Sequence, residues 1–433
     1  MSQNKKTFDI IISGGGLSGS LMALSLADLT KPDGSLLSIA IVEANEPNAN
    51  ASTENEALQG VTTPLFDDRV LALSHASAEY LKSVNVWQHL TSDACAIKKI
   101  DISDRGHYGK ARIDANSHNV SALGYVIAMA KIGEGQLKAL VSKSNVQWFT
   151  PESITEIDWQ ADPTFLPQEN SASTDELKNS LIEVSLKSGK VLQTQLLLAC
   201  DGANSPCRML ANIEASKSDY HQLALIANVA TEKAHNNKAF ERFTEYGPIA
   251  MLPLTALNNT PHRCSLVWTM SAEQSEKLRT LTDDEFCNQL EVAFGSWLGK
   301  VKQVGKRDVY PLSLLQAKQQ TYHRMALIGN ASHTIHPIAG QGFNLGLRDV
   351  QLMASLIEKQ LLTQSDIGSF ALLNEYSIQR TQDQKQIISL TDSLVTLFSN
   401  NLPPLIAGRN TGLKVMNYFQ PFKKALVNKL MGY

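Results

Sequence analysis

The chain is poor in the residues that build metal or disulfide frameworks. Its 433 residues hold five cysteines, Cys95, Cys200, Cys207, Cys264 and Cys287, odd in number, scattered and without a C-x-x-C pair. That pattern speaks against a zinc framework or a disulfide scaffold and reads as reduced thiols in a cytoplasmic protein. Nowhere do 18 consecutive apolar residues occur, so no transmembrane helix is expected. The apolar stretch Phe8–Ile12 behind Met1–Lys6 is too short for the hydrophobic region of a signal peptide. Basic runs are missing as well, and a formal net charge of −3 gives no electrostatic reason to expect nucleic acid. No G-x-S-x-G or G-x-x-x-x-G-K-[ST] segment is present, which leaves serine-hydrolase and P-loop chemistry unsupported. No internal repeat is visible. What remains is 43% hydrophobic and 19% charged, enough for a large core shared by two or three domains.

The most informative stretch runs from Arg324 to Asp349. Met325–Ile328 reads as a short buried strand stopped by Gly329. A polar loop follows, and Gly340-Gln341-Gly342 opens a helix whose stripe is Leu347, Val350, Ala354, Ile357 and Leu361. Glycines before a helix let a ligand approach the backbone closely, and the first N–H groups of the helix carry partial positive charge. A flat ring that takes up electrons would be stabilised there once reduced. His333 and His336 invite a metal reading, but no cysteine or carboxylate cluster accompanies them, and loop histidines more often order the backbone.

Near the amino terminus, the strand Phe8–Ser13 runs into Gly14-Gly15-Gly16-Leu17-Ser18-Gly19, a G-x-G-x-x-G segment followed by a helix. A second strand, Leu37–Val42, ends at Glu43. Strand, glycine turn, helix and an acid closing the next strand form the full dinucleotide-binding context. The helix N-terminus would take a pyrophosphate, and Glu43 a ribose hydroxyl.

Further along, Asn45–Asp67 is polar and reads as a long loop. Asp68–Leu73 reads as running into a helix with Ala78, Leu81 and Val84, Tyr125–Ala130 as a strand, and Glu134–Leu137 as a helix start. Arg69, as a lone arginine, is more often a surface charge than a phosphate contact. Asn145–Val191 reads as strands around a polar insertion, Asp162–Asn179. The strand Leu196–Cys200 empties into Asp201-Gly202, where Asp201 either faces a cofactor hydroxyl or opens an Asx-type turn. From Leu223 to Leu314 short strands prevail, interrupted by a helix opened by the capping box Thr282–Glu285. This second, mostly antiparallel sheet has apolar faces that either fill a core or wall a pocket for a greasy ligand. The chain beyond Leu362 is helical. Its last segment, Asn401–Tyr433, mixes apolar residues with Lys414, Lys423, Lys424 and Lys429, as a capping helix pair or a membrane-surface segment would.

The G-x-G-x-x-G loop, the turn Asp201-Gly202…Ser205…Arg208 and the block Gly329-Asn330…His336-Pro337…Gly340-Gln341-Gly342-Phe343-Asn344-Leu345-Gly346-Leu347-Arg348-Asp349 occur in one order. Together they resemble the single-component FAD-dependent aromatic hydroxylases of the para-hydroxybenzoate hydroxylase fold. Phe240-Glu241-Arg242-Phe243-Thr244, Cys264–Trp268 and Ala407–Asn410 draw the resemblance towards the ubiquinone-biosynthesis branch. It covers essentially the whole chain. The fold it implies is α/β, a Rossmann-like FAD-binding domain (1–211 and 315–362), an antiparallel substrate sheet (212–314) and a helical C-terminal segment (363–433).

The resemblance implies that Gly14, Gly16 and Gly19 hold the FAD pyrophosphate, Glu43 the ribose, and Gly340, Gln341, Gly342, Phe343 and Asn344 the isoalloxazine ring. Arg69, Gln136 and Asp201 match positions that touch FAD, with Asp201 in a motif also tied to NAD(P)H. Asn330 stands where most of the family has Asp, and keeps an acceptor while adding a donor. The activity implied is hydroxylation of a polyprenylated phenol (2-octaprenyl-6-methoxyphenol-like) with NAD(P)H and O2, on the inner membrane face and with other ubiquinone-biosynthesis proteins as partners. No side chain stands out as the catalytic acid or base, and no metal is expected. A prenyl reductase that inserts no oxygen, or a non-catalytic lipid-binding subunit, are the alternatives.

Overall fold

A computed structural model of the chain describes residues 5–45, 69–106, 109–159, 181–244, 247–257, 259–335, 341–398, 410, 412 and 420–433. In chain order, β1 (Lys6–Ser13) feeds α1 (Leu17–Ala27) and β2 (Ile39–Val42), and β3 (Val70–Ser74) runs into α2 (His75–Ser83). β4 (Cys95–Ile97), β5 (Lys99–Asp104), β6 (Lys110–Asp114) and β7 (Gly124–Ala128) precede α3 (Met129–Leu140). Next come β8 (Val146–Phe149), β9 (Ile154–Asp158), β10 (Ile182–Leu186), β11 (Val191–Ala199) and the short α4 (Pro206–Leu210). β12 (Ala215–Thr231), β13 (Lys238–Thr244), β14 (Gly247–Leu254) and β15 (Arg263–Met270) lead to α5 (Ala272–Thr280) and α6 (Asp283–Phe294). β16 (Val301–Val304), β17 (Asp308–Ala317), β18 (Thr321–Tyr322), β19 (Met325–Leu327) and β20 (His333–Thr334) precede α7 (Gln341–Leu362), α8 (Phe370–Phe398) and α9 (Gln420–Met431).

β1 is the spine of the first sheet, whose order is β18-β19-β11-β1-β2-β8 with β10 and β9 beyond β11. It pairs in parallel with both β2 and β11. Alternate side chains leave on opposite faces. Ile10 and Ile12 pack with Leu21 and Leu24 of α1 and Val350 of α7, while Ile11 packs with Ile154 and Val184 of the β9–β10 pair. A strand buried on both faces needs an unbroken apolar run, which Phe8 and Ile10–Ile12 supply. Each fully buried isoleucine contributes about 1.5–3 kcal/mol.

The second sheet has the order β20-β17-β12-β15-β14-β13-β5-β6, with β16 beside β12. One face carries Phe240, Leu266 and Trp268 and packs on Phe286, Leu290 and Phe294 of α6. The other face, through Ala239 and Leu254, meets Ile97 and Val126 of a small sheet, β3-β7-β4. The second sheet therefore draws strands from either side of residues 211 and 314, because β5, β6 and β20 hydrogen-bond into it.

Several sequence expectations meet a different local structure. Val70–Ser74 is a strand, zipped antiparallel onto β7 with Val70 opposite Ala128, and only at Ser74 does a helix begin, capped by the Ser74 hydroxyl. The helix expected from Glu134 starts at Met129, since its glycines serve close packing: a Cβ on Gly135 would lie 2.9 Å from Leu90. The capping box at Thr282–Glu285 forms in full. In α9, Val427 and Met431 are buried with Ile113 and Leu123. Residues 46–67, 162–179 and Gly340 lie outside the described residues. No helix among those described is long and apolar enough to cross a membrane.

A buried ion pair ties α7 to α8. Asp349 is fully enclosed and accepts from the Gly329 N–H at 2.7 Å and from Arg380 Nε at 2.6 Å. Arg380 also reaches Asp383 at 2.7 Å and the Leu345 carbonyl at 3.3 Å. Removing one partner leaves an uncompensated charge in the interior. Asp349→Ala should therefore cost about 3–5 kcal/mol, read as a fall in the urea midpoint. The double variant Asp349→Ala/Arg380→Leu should cost less than the sum of its parts.

All five cysteines are buried and unpaired. Burial pushes the Cys95 thiol up to about 11 and Cys264 to about 12, and holds Cys200 and Cys207 well above the usual range. Only the thiolate attacks. The native protein at pH 8 should hence react with an aromatic disulfide reagent far more slowly than the urea-unfolded chain; five fast thiols in the native state would contradict this packing.

Candidate functional site

The three glycine turns of the sequence meet at one place. β1 ends at Ser13 and the chain turns through Gly14, whose φ of +93° favours glycine. A Cβ there would stand 2.6 Å from the Cys200 carbonyl oxygen and 2.9 Å from Asp201 Cα, so the first turn and the Asp201 turn are in backbone contact. A Cβ on Gly19 would overlap the Gly14 carbonyl oxygen, and α1 sits down on the loop only because that position is bare. The Gly14 N–H donates to the Val42 carbonyl at 2.8 Å, and Gly15 N–H to the Glu43 carboxylate at 2.6 Å.

The third turn, Gly329–Ala331, closes the cluster. A Cβ on Gly329 would come 2.8 Å from Ser18 Oγ, at the start of α1, and one on Gly346 would come 3.1 Å from Gly329 Cα. Arg208, in the helix after the Asp201 turn, donates to the Ala331 carbonyl at 2.7 Å and to the Ala203 carbonyl at 2.8 Å. One arginine thus braces two of the turns. Arg208 and Asp349 stand inside the quoted motifs, but the sequence assigns them no role, since their partners (carbonyls, the Gly329 N–H and the distant Arg380) are not revealed by motif spacing.

Gly16 differs from its neighbours. Among the described residues no atom lies within 4 Å of where its Cβ would be, and as the N-cap of α1 it offers no side-chain acceptor to the first helical N–H groups. Nothing inside the chain demands glycine there. A ligand at the helix N-terminus would.

Two buried acceptors beside this cluster have no hydrogen-bond partner among the described residues. Gln136 donates through Nε2 to the Leu17 carbonyl at 3.1 Å, and its Oε1 is left over; Asp201 receives the Cys207 N–H on Oδ2 at 3.0 Å, and its Oδ1 is left over. Asp201 therefore does open an Asx-type turn, with one oxygen still to be satisfied. Such orphans are expensive unless a ligand or water completes them. The open cradle at Gly16 and these two acceptors, all beside the first turn, fit a dinucleotide with hydroxyl donors.

The remaining expected residues lie as follows. Glu43 shares its second oxygen with the Asn45 N–H at 3.0 Å. Arg69 is exposed at the start of β3, with its guanidinium 5.3 Å from the Tyr310 ring of the second sheet. Asn330 is exposed in its turn, and Phe343 is partly buried on the first core. Asn344 is turned inward: its Oδ1 accepts from Ser74 N–H at 2.9 Å and Ser77 Oγ at 2.7 Å, and its Nδ2 donates to the Ala72 carbonyl at 2.8 Å. That side chain locks α7 to β3, which leaves the backbone of Gln341–Asn344 as the part that can face a ligand. His333 is buried, with Gln384 Nε2 donating to its Nδ1 at 3.1 Å, and burial lowers its affinity for a proton. His336 lies outside the described residues.

Residues 147–391, more than half of the chain, match the family model described as FAD binding domain. The chain is 29% identical to ubiquinone hydroxylase UbiL of Rhodospirillum rubrum, over 99% of this chain and 90% of that one. It is also 29% identical to the ubiquinone biosynthesis monooxygenase COQ6, mitochondrial, of Danio rerio, over 98% and 90%. Among solved structures, p-nitrophenol 4-monooxygenase PnpA of Pseudomonas putida shares the fold with a TM-score of 0.69 at 17% identity, covering 98% of this chain and 97% of that one. The chain belongs to the FAD binding domain family and is an FAD-dependent monooxygenase.

Proposed function

We propose that this protein hydroxylates the aromatic ring of a polyprenylated phenol in ubiquinone biosynthesis, with NAD(P)H as reductant and O2 as oxygen source. The observation that carries the reading is the end-to-end match, over 98% or more of this chain, to UbiL and COQ6. Both are named for that pathway. The apolar second sheet supports it further, since a prenylated phenol needs a greasy wall beside the flavin.

In this reading the pyrophosphate of FAD lies on Gly14, Gly16 and the N-terminus of α1, with Gly19 letting the helix come close. Glu43 accepts from the adenosine ribose, and the free oxygens of Gln136 and Asp201 accept from FAD hydroxyls. Asn330 sits at the flavin's polar chain and Arg69 at the outer rim. The backbone of Gln341–Asn344, at the positive end of α7, with Gly340 before it in sequence, stabilises the electron-rich reduced ring. Bound FAD supplies electron transfer from the reduced nicotinamide and activation of O2, while the protein orients the phenol and excludes water. Residues 1–211 with 315–362 make the flavin unit, apart from β5, β6 and β20, which join 212–314 in the substrate wall, and α8 and α9 of the segment 363–433 supply a helical cover. The protein works in the cytoplasm, peripheral to the inner face of the membrane, where the substrate and partner proteins of the pathway are.

Gly16→Val tests the cradle. The apoprotein should melt within a few degrees of wild type, because nothing of the chain occupies that space. FAD affinity should fall about 100-fold or more, equal to about 3 kcal/mol of lost contact. Gly19→Ala should instead lower the melting temperature outright.

The activity itself is tested with a short-tailed prenylphenol, NAD(P)H and labelled O2. The expected product carries one labelled oxygen atom on the ring. Reductant consumed with the ring unchanged, or with the prenyl chain reduced, would sink the reading.

A further inference from the structure

The face of the second sheet turned away from α6 has an unusual row. Read across five strands by register, Ile226 of β12 lies opposite Val267 of β15, Val267 opposite Ala250 of β14, Ala250 opposite Glu241 of β13, and Glu241 beside Ile102 of β5. All five are partly exposed, whereas their neighbours on the other face, Leu225, Leu266, Ile249 and Phe240, are buried against the helices. On the same face the row is flanked by the buried Ala224, Thr269 and Phe243 on one side and by Asn228, Ser265 and Ala239 on the other, which makes it a trough across the sheet. Its surroundings meet β3 and β7: Tyr310, on β17 beside β12, lies beneath the Arg69 guanidinium, and Ala239 and Leu254 of the middle strands pack with Val126 and Val70. Four of the five side chains are apolar and one is a carboxylic acid.

Among the described residues Glu241 has no hydrogen-bond or ion-pair partner. The next residue, Arg242, points to the other face, its guanidinium 5.3 Å from the Trp297 ring. The charged and titratable groups on or facing the trough side are otherwise engaged. Asp104 accepts from Asn410 Nδ2 at 3.1 Å, Asp308 pairs with Lys306 at 2.9 Å, and Arg69 covers Tyr310. The facing residues of β3, β4 and β7, namely Val70, Ile97 and Val126, carry no charge. A lone acid in an apolar trough has no structural work to do and costs desolvation.

We propose that Glu241 is the catalytic residue that accepts the proton of the substrate's phenol hydroxyl. This rests on the hydroxylase reading above. As the O–H bond breaks, the proton passes to Glu241 and the electron pair stays on oxygen, enriching the ring. The ring carbon then bonds to one atom from O2, and the other leaves as water with electrons from NAD(P)H. Loss of the ring proton restores aromaticity, and Glu241 returns its proton to the oxygen. Burial pushes the Glu241 carboxyl up to about 7, in the range where a general base is most effective near neutral pH.

Glu241→Gln keeps the shape and removes the acceptor. In the flavin-loaded wild type, hydroxylation of the short-tailed prenylphenol should rise with pH through about 7 as Glu241 ionises. In the variant that limb should vanish and hydroxylation should fall about 10²–10⁴-fold, with flavin content and anaerobic flavin reduction by NAD(P)H within twofold. Stability gives a second readout. A carboxyl raised in the native state favours folding while neutral, and that advantage is lost as pH climbs from the ordinary carboxylate range through about 7. The Gln variant should consequently melt at the same temperature or higher at pH 8. A variant that hydroxylates within threefold of wild type with the same pH limb overturns the role of Glu241 and leaves the hydroxylase reading standing. A wild type that reduces its flavin and hydroxylates nothing overturns both.

Discussion

Backbone contact between three distant turns is the constraint on which the rest of this molecule depends. Gly14 touches the Asp201 turn, Gly19 lets α1 descend onto Gly14, and Gly329 meets both Ser18 and Gly346. At Gly14 and Gly19 the obstructing atoms are backbone, so no rotamer change could relieve the overlap a side chain would create. Because the turns close on one another, the N-terminus of α1, the free oxygen of Asp201 and the start of α7 share one neighbourhood. A cofactor site follows from that arrangement, since Asp201 Oδ1 and the neighbouring Gln136 Oε1 have no partner among the described residues.

The same contact explains where the fold holds its internal charges. Asp349 lies one helical turn beyond Gly346 and receives the Gly329 N–H, so the ion pair with Arg380 fastens the third turn to α7 and α8 together. Arg208 does the equivalent for the second turn through the Ala331 carbonyl. Asn344 carries the connection onward to β3 and α2. These groups act through backbone partners, so they set the spacing of the site rather than its chemistry. By contrast, Glu241 stands apart from the network in an apolar trough, which is why a chemical role suits it better than a structural one.

Much of this was legible in the linear chain. The spine strand, the glycine turn, the acid at Glu43, the capping box at Thr282 and the apolar stripe of α7 depend on local preference and periodicity, and these survive into the fold. Other features were not. Asp68–Leu73 reads as running into a helix, and only pairing with β7 makes Val70–Ser74 a strand. β5 and β6 come from a stretch whose short alternating pattern says little, and their sheet is chosen by pairing with β13 some 140 residues away in sequence. Asn344 and Asn330 look alike as motif letters, yet one is sealed inside and the other exposed.

The sequence by itself determined that a dinucleotide cradle exists and that two further turns are built around glycine, because turn geometry and strand–helix alternation are short-range properties of residue type. Only the tertiary structure decided that the turns are mutual neighbours, that Asp201 keeps one oxygen unused, and that Glu241 faces the trough rather than the helices. Those outcomes rest on strand register and helix packing. A shift of one residue in register would have turned Glu241 to the other face, and nothing local to Phe240–Thr244 encodes which register the neighbouring strands impose.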